Sequence, residues 1–219
     1  MIEDRQCNVV LTTRGGSDRL PGKNMMLCND KPLIYWATNE CFKSWFVDCI
    51  YHISDNAEQR EYMDGLGCKT LEEPPEIANG NVPILEVLKH AVTQIDCRPD
   101  DYIVWVDVSK PLTKRHHIEK CIRYAYHCGH DSVFTVKRLR YNIIGDAAVV
   151  SQNKPESELR YLYFGAVRLR TREVIENAKP GTWGYGKNHL DLPICEDHEI
   201  DVDYLHDFIM AEALLKAGY

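Results

Sequence analysis

The segment Asn8–Asn24, NVVLTTRGGSDRLPGKN, ends an apolar, β-branched run with two glycines and then places three cations, Arg14, Arg19 and Lys23, in one loop. Such a loop can hold an anion. Gly15 and Gly16 admit unusual backbone angles, and their amides can approach a phosphate closely. Arg14 offers a planar fork and Lys23 a compact point charge. Pro21-Gly22 turns the chain so that Lys23 comes back towards Arg14. The competing reading is a solvated turn carrying surface cations. Two familiar nucleotide loops fail on spacing. GGSDRLPG lacks GxGxxG, and five residues rather than four separate Gly16 from Gly22, with Asn24 in place of the Ser or Thr that follows a P-loop lysine.

The elements that must position this loop can be read from apolar periodicity. Cys7–Thr13 is a buried strand, Leu33–Ser44 a helix and Asp48–Ser54 a second strand. AEQREYMDGLG reads as a helix stopped by glycine, CKTLEE as a short strand and EPPEIANGNVP as loop. ILEVLKHAVTQI has a helical apolar stripe. Asp101–Val108 is the most strand-like stretch, KRHHIEKCIRYAYHCG a helix ended at Gly129, and Asp131–Val136 another strand. Strand and helix alternate through roughly the first two thirds of the chain, which predicts an α/β fold with a mainly parallel sheet. Ligands in such sheets bind beyond the carboxyl ends of the strands, so the loops after Thr13 and after Val106 belong on one edge. Tyr161–Arg170 is expected as a strand, KPGTWGYGKNHLDLP as loop, and EIDVDYLHDFIMAEALLKAG as a short strand running into a helix.

The 219 residues suit one domain, and the 44% hydrophobic content supports a sizeable core. A net charge of −7 argues against general binding of nucleic acid, so a bound anion needs a local cation cluster. The nine cysteines form no CxxC pair and read as reduced thiols. The opening MIEDRQC does not read as a signal peptide, and no apolar run approaches a membrane span; a cytoplasmic location is expected. His116, His117, His127 and His130 are too dispersed for a zinc set and are expected at the surface, and Trp36, Trp45 and Trp105 in the core.

RGGSDRLPGKN followed by KPLIYWA resembles the opening of the cytidylyltransferases that activate sialic acids, A-R-G-G-S-K-x-I-P-x-K-N and then K-P-L-I-x-W. SDRLPGK is also similar to the S-T-R-L-P-G-K run of 3-deoxy-manno-octulosonate cytidylyltransferases. Further on, Ile53–Asn56 (ISDN), Asp131–Val136 (DSVFTV) and EIDVDYLHDFIMAEALL resemble the family's S-T-D-D, D-S-V-x-S-V and S-I-D-I-D-x-x-x-D-F-x-x-A-E, in the family's order and over nearly the whole chain. The resemblance implies a Rossmann-like nucleotidyltransferase, a three-layer α/β sandwich with a GT-A-like sheet, forming one domain over 1–219. Over 137–192 the strand–helix alternation becomes irregular, which reads as an insertion for acceptor binding or a dimer contact. The implied reaction transfers CMP from CTP to a hydroxyl of a small anionic acceptor, with pyrophosphate leaving, in a homodimer using Mg²⁺. Arg14 and Lys23 match the cations that hold the triphosphate. The nucleotide site would comprise Thr13, Arg14, Gly15, Gly16, Ser17, Arg19, Lys23, Asn24 and Asp107.

The acidic residues near the end can be read directly. In an extended EIDVD, Glu199, Asp201 and Asp203 share a face while Ile200 and Val202 turn to the core. Carboxylates facing a triphosphate need a cation between, and Mg²⁺ suits oxygen ligands. Alternatively, Asp203 caps the helix that starts near Tyr204 and Asp207 sits in solvent. The resemblance favours Asp201 and Asp203 as magnesium ligands; Asp107, which ends a buried strand on the ligand edge, reads either as a third ligand or as a carboxylate facing a neighbouring loop.

Three departures from the family pattern bear on the substrates. Asp107 in DVSKPLT stands where the family has glutamine, and Glu73 in EPPEIA replaces an arginine. FGAVR puts Phe164 and Arg168 where sialate enzymes have asparagine and tyrosine. Candidate acceptor-binding cations are Arg138, Arg140 and Arg168; Lys137 and Arg170 lie beside them, and Arg168 and Arg170 share a strand face. The leading expectation is transfer to a sialic-acid-like or other 2-keto sugar acid. The alternatives are a different nucleotide or acceptor, such as a phosphonate, and a nucleotide-binding protein without turnover.

Overall fold

The computed structural model describes residues 2, 4–80, 82–138, 144–145, 148–149, 161–162, 165–194 and 200–219. Strand β1 (Cys7–Thr13) lies at the middle of the sheet, between β4 (Cys49–Ser54) and β6 (Tyr102–Val106), and runs parallel to both. Beyond β4, β5 (Lys69–Glu72) adds a further parallel strand. On the other side β11 (Val167–Thr171) runs antiparallel between β6 and β7 (Ser132–Arg138). Strand β7 also carries β10 (Tyr161–Leu162) and, in parallel, β12 (His189–Ile194). Two small ribbons, β2–β3 (Leu27–Cys28, Lys31–Pro32) and β8–β9 (Ile144–Gly145, Ala148–Val149), stand apart from this sheet.

Alternation along β1 makes the three layers. Val9 and Leu11 pack with α1 (Leu33–Phe42) and α4 (Arg115–Cys128) through Ile34, Cys41, Ile118 and Ile122. Val10 faces the opposite layer, where α3 (Ile84–Val92) brings Leu85, Leu88 and Ala91 and α5 (Arg172–Asn177) brings Ile175. Each such aliphatic side chain contributes about 1.5–3 kcal/mol by leaving water. A third cluster joins α6 (Leu205–Lys216) to Cys28, Leu33 and Val202, tying the end of the chain to its beginning. None of the described helices is long and apolar enough to cross a membrane.

Several expectations are corrected. Tyr161–Arg170 is not one strand: β10 ends at Leu162 and β11 begins at Val167. The expected loop before Pro193 contains β12, and the short helix α5 precedes it. Residues 200–203 form no strand, and the helix begins at Leu205. Trp45 is 79% exposed at the turn after α1, whereas His117 is buried against the start of α4, where its Nδ1 accepts the Lys114 amide. Of the stretch 137–192, β11 and β12 belong to the central sheet.

Candidate active site

The carboxyl ends of β1, β4, β5 and β6 lie on one edge, and the segments leaving β1, β5 and β6, with Asp203, surround a cavity of about 290 Å³. Arg14, Gly16, Ser17, Arg19, Lys23 and Asn24 line one side, with Thr13 at the base. Asp107, Ser109 and Asp203 line the other. Gly15 is not a lining residue; its amide donates to Asp55 Oδ1 at 2.7 Å.

The loop after β1 is held by side chains rather than by glycine freedom. Asn24 Nδ2 and Gln59 Nε2 both donate to the Arg14 carbonyl, at 3.1 and 3.2 Å. Gln59 is in place because Asn56 caps α2 (Ala57–Gly65), its side chain accepting the Gln59 amide. Neither Gly15 nor Gly16 adopts a positive φ; the left-handed residue is Gly22, φ 69°, in the turn that sets Lys23. Gly15 serves close approach instead, since a Cβ there would lie 3.0 Å from the Asn56 side-chain Nδ2. Beneath the loop, Thr13 Oγ1 meets His52 Nε2 at 2.7 Å inside the sheet. Burial, helped by Arg60, lowers the His52 pKa to about 4 and keeps the ring neutral.

Lys23 reaches the other end of the chain. Its Nζ donates to the Val202 carbonyl at 2.6 Å and lies 3.3 Å from Asp203 Oδ1. Arg19 meets the same carboxylate at 2.8 Å. Asp203 is thus paired with cations, and its side chain does not cap α6. Asp207 does that work, accepting the Asp203 and Tyr204 amides at 3.1 and 2.8 Å.

Asp201 turns away from this pair. Its Oδ1 lies 2.7 Å from Ser109 Oγ, which lies 2.6 Å from Asp107 Oδ1. One hydroxyl proton serves two acidic oxygens, with Lys110 3.8 Å from the far oxygen of Asp201. Burial and then the neighbouring Asp107 raise the Asp201 pKa, against Lys110 and Ser109. Two hard oxygen donors crowded with negative charge suit a divalent cation such as Mg²⁺, and Asp107 and Asp201 fit that role better than the cation-paired Asp203. Sequence reading did not anticipate Ser109; the available signal was Asp-x-Ser, in which Asp107 Oδ1 accepts the Ser109 amide at 3.0 Å.

Behind the carboxylates, Arg168 stacks over Trp105 and Trp183, 4.8 and 5.3 Å from the ring centres. Burial lowers its pKa, while Asp107, Tyr185 and Asp201 act to raise it, so the guanidinium feels the acidic pair. Its Nε has no hydrogen-bond partner among the described residues. Arg170, expected beside it, is sealed in. It donates to the carbonyls of Gly184 and Trp183 at 3.0 and 2.6 Å, and burial followed by Arg168 brings its pKa down to about 9. Arg140 and Phe164 lie outside the described residues, as do Glu199 and the side chains of Lys137 and Arg138.

Comparison with known proteins places this geometry in context. A family model described as Cytidylyltransferase matches residues 9–180. The chain is 29% identical over 143 residues to 3-deoxy-manno-octulosonate cytidylyltransferase 2 of Hydrogenovibrio crunogenus, covering 65% of this chain and 56% of that protein. It is 24% identical over 214 residues to 8-amino-3,8-dideoxy-manno-octulosonate cytidylyltransferase of Shewanella sediminis, covering 96% and 79%. Against N-acylneuraminate cytidylyltransferase A of Danio rerio it is 25% identical, covering 99% of this chain and 53% of that one. Among solved structures, CMP:2-keto-3-deoxy-manno-octonic acid synthetase complexed with CTP superposes with a TM-score of 0.74 at 13% identity, covering 98% and 100%. The shared fold is the Rossmann-like nucleotidyltransferase sheet.

Proposed function

The chain belongs to the cytidylyltransferase family, and from that premise we propose that it transfers CMP from CTP to a hydroxyl of an acidic sugar, releasing pyrophosphate. The observation that carries the reading is the single cavity joining Arg14, Arg19 and Lys23 to Asp107 and Asp203. The acceptor oxygen bonds to the α-phosphorus as the bond from that phosphorus to the bridging oxygen of pyrophosphate breaks. Most of the rate in such a transfer comes from positioning and charge neutralisation. Arg14 and Lys23 bind the β- and γ-phosphates, Lys23 exchanging part of its contact with Asp203 for phosphate oxygen. Asp107 and Asp201 would hold Mg²⁺, which would supply positive charge to the triphosphate and the leaving group. Arg168, beside the acidic pair, is the acceptor-side cation and orients the sugar's carboxylate.

The test is pyrophosphate release from each of four nucleoside triphosphates. The acceptors are 3-deoxy-manno-octulosonate, its 8-amino-3,8-dideoxy analogue, an N-acylneuraminate and a phosphonate, all with Mg²⁺. CTP-dependent release with one sugar acid is expected. Binding of CTP without release from any pair would instead identify a nucleotide-binding protein without turnover.

A further inference from the structure

Residues 183–188, which lie in neither helix nor strand, are gripped by side chains from β11 and the start of β7. Arg170, only 1% exposed, donates to the Gly184 carbonyl at 3.0 Å and to the Trp183 carbonyl at 2.6 Å. Its guanidinium lies 4.2 Å from the centre of the Phe134 ring and makes no ion pair among the described residues. The amides that follow are held as well, Gly186 donating to Ser132 Oγ at 2.9 Å and Lys187 to Asp131 Oδ2 at 2.8 Å. A charge buried against carbonyls and a ring is costly, and what it secures here is the backbone that carries Trp183 and Tyr185. Both rings stay in contact with solvent, at 52% and 40% exposure. The Trp183 ring lies on Arg168, 5.3 Å from the guanidinium carbon, with Trp105 4.8 Å from the same carbon. This group adjoins the cavity at two points. Trp105 Nε1 donates at 3.0 Å to Oγ1 of Thr12, a lining residue, and Gly184 packs on Leu85, next to the lining residue Ile84.

We propose that Trp183 is the platform for the acceptor, taking the C–H face of a sugar ring whose carboxylate meets Arg168, and that Arg170 is the positioning residue that fixes the platform. The inference rests on the reading of this chain as a cytidylyltransferase acting on a sugar acid. A sugar ring turns flat patches of C–H outward between its hydroxyls, and their slight positive charge suits the negative face of an indole. Trp183 also keeps water from one side of Arg168, which strengthens the pairing of that guanidinium with a carboxylate. A fixed backbone matters because a displacement of about 1 Å in a substrate-positioning group can cost about a hundredfold in rate. The planar fork of Arg170 reaches two successive carbonyls at once, which a lysine ammonium cannot do in the same geometry.

The experiment measures kcat, and KM for CTP and for the sugar acid that the intact protein uses, in Trp183→Leu, Trp183→Phe, Arg170→Lys and the double variant Arg170→Lys/Trp183→Leu, with a melting curve for each. Trp183→Leu should raise the acceptor KM at least about tenfold and leave the KM for CTP within about twofold. Trp183→Phe keeps an aromatic face and should stay within about threefold of the intact protein for both substrates. Arg170→Lys keeps the buried charge but loses the fork, and should raise the acceptor KM about three- to tenfold, again without moving that for CTP. Added to Trp183→Leu it should cost nothing further, because both changes act through one ring. An unchanged acceptor KM in Trp183→Leu, or an equal loss for CTP and acceptor, overturns the platform while leaving the cytidylyltransferase assignment standing. A lowered melting temperature with an unmoved acceptor KM in Arg170→Lys, or additive losses in the double variant, overturns the positioning role. Failure of the intact protein to transfer CMP to any sugar acid overturns the assignment and, with it, the platform.

Discussion

Lys23 and Arg19 on one rim of the cavity rest on a carbonyl and a carboxylate from the chain's end, whereas Asp107 on the other competes for a single serine hydroxyl with Asp201, which does not itself line the cavity. The cationic rim is satisfied before any ligand arrives; the acidic rim is not. The first is a contiguous loop braced from behind by Asn24 and Gln59. The second is assembled from Ser109 and Asp201, 92 residues apart in sequence, by the hydrogen bond of the Val202 amide to the Ser109 carbonyl. A satisfied rim contributes to stability and gives up contacts on binding. A crowded rim costs stability and recovers it when a cation comes between the two carboxylates.

The sharpest way to break this contrast is Asp201→Asn. Removing one charge from the crowded pair should lower turnover by about 10²–10³-fold, about 2.7–4 kcal/mol of transition-state stabilisation. The melting temperature should stay level or rise, because the repulsion with Asp107 is gone. Steady-state pyrophosphate release and a thermal melt read the two effects on the same sample. Lost stability with retained turnover would reverse the roles assigned to the two rims.

The floor beneath the cationic loop gives a pH signature. His52, folded pKa about 4, is protonated below about 6.5 in the unfolded chain but stays neutral in the fold. The unfolded state therefore binds more protons between pH 6.5 and 4, and stability falls as pH drops through that window, by about 3 kcal/mol. Carboxylates titrate there too, so the measurement is the difference between the intact protein and His52→Gln in urea unfolding at pH 7 and pH 4. The variant should gain on the intact protein by about that amount. A constant difference would mean that the Thr13–His52 contact does not depend on a neutral ring.

The two rims also differ in how far the sequence discloses them. Arg14, the glycines and Lys23 sit in one short run whose residue types state their chemistry, and the strand before them is written as a continuous apolar, β-branched run. The parallel centre of the sheet was legible for the same reason: β1, β4 and β6 are buried on both faces and bounded by strong turn signals. The acidic rim was not, because Asp201 and Asp203 point to different partners only once the chain has folded back on Ser109 and Lys23. An extended strand there would have put both on one face. Strand β12 was hidden by Pro193, a residue that argues for loop except at a sheet edge, and by pairing with β7 that no local pattern encodes. Trp45 misled because its size suggested burial, yet it occupies an exposed turn. Glu73 was visible as a departure from a motif, but its place in the cavity wall beside Arg14 required the folded chain.

Lys23→Ala tests the satisfied rim directly. Turnover should fall at least about tenfold, about 1.4 kcal/mol or more. Stability should fall as well, since the contacts of the Lys23 ammonium with the Val202 carbonyl and Asp203 disappear and Asp203 keeps, among the described residues, the Arg19 ion pair. That joint loss is the opposite of the pattern expected for Asp201→Asn, and the pair of variants measured together sharpens the comparison more than either alone.

Arg19→Ala should give the smallest effect. The guanidinium is 55% exposed, so its ion pair with Asp203 is worth at most about 1 kcal/mol to the fold and is screened by salt. Its influence on turnover runs through competition. With Arg19 gone, Asp203 has Lys23 as its remaining cation and holds it more firmly against the incoming phosphates, so turnover should drop about two- to threefold, a loss of under about 1 kcal/mol. Two controls separate this from direct phosphate binding by Arg19. Adding Asp203→Asn should restore turnover, because Lys23 is then released, and raising the salt concentration should narrow the gap between the variant and the intact protein. If the double variant is instead slower than Arg19→Ala alone, Arg19 grips the triphosphate itself, and the cationic rim acts through three charges rather than two.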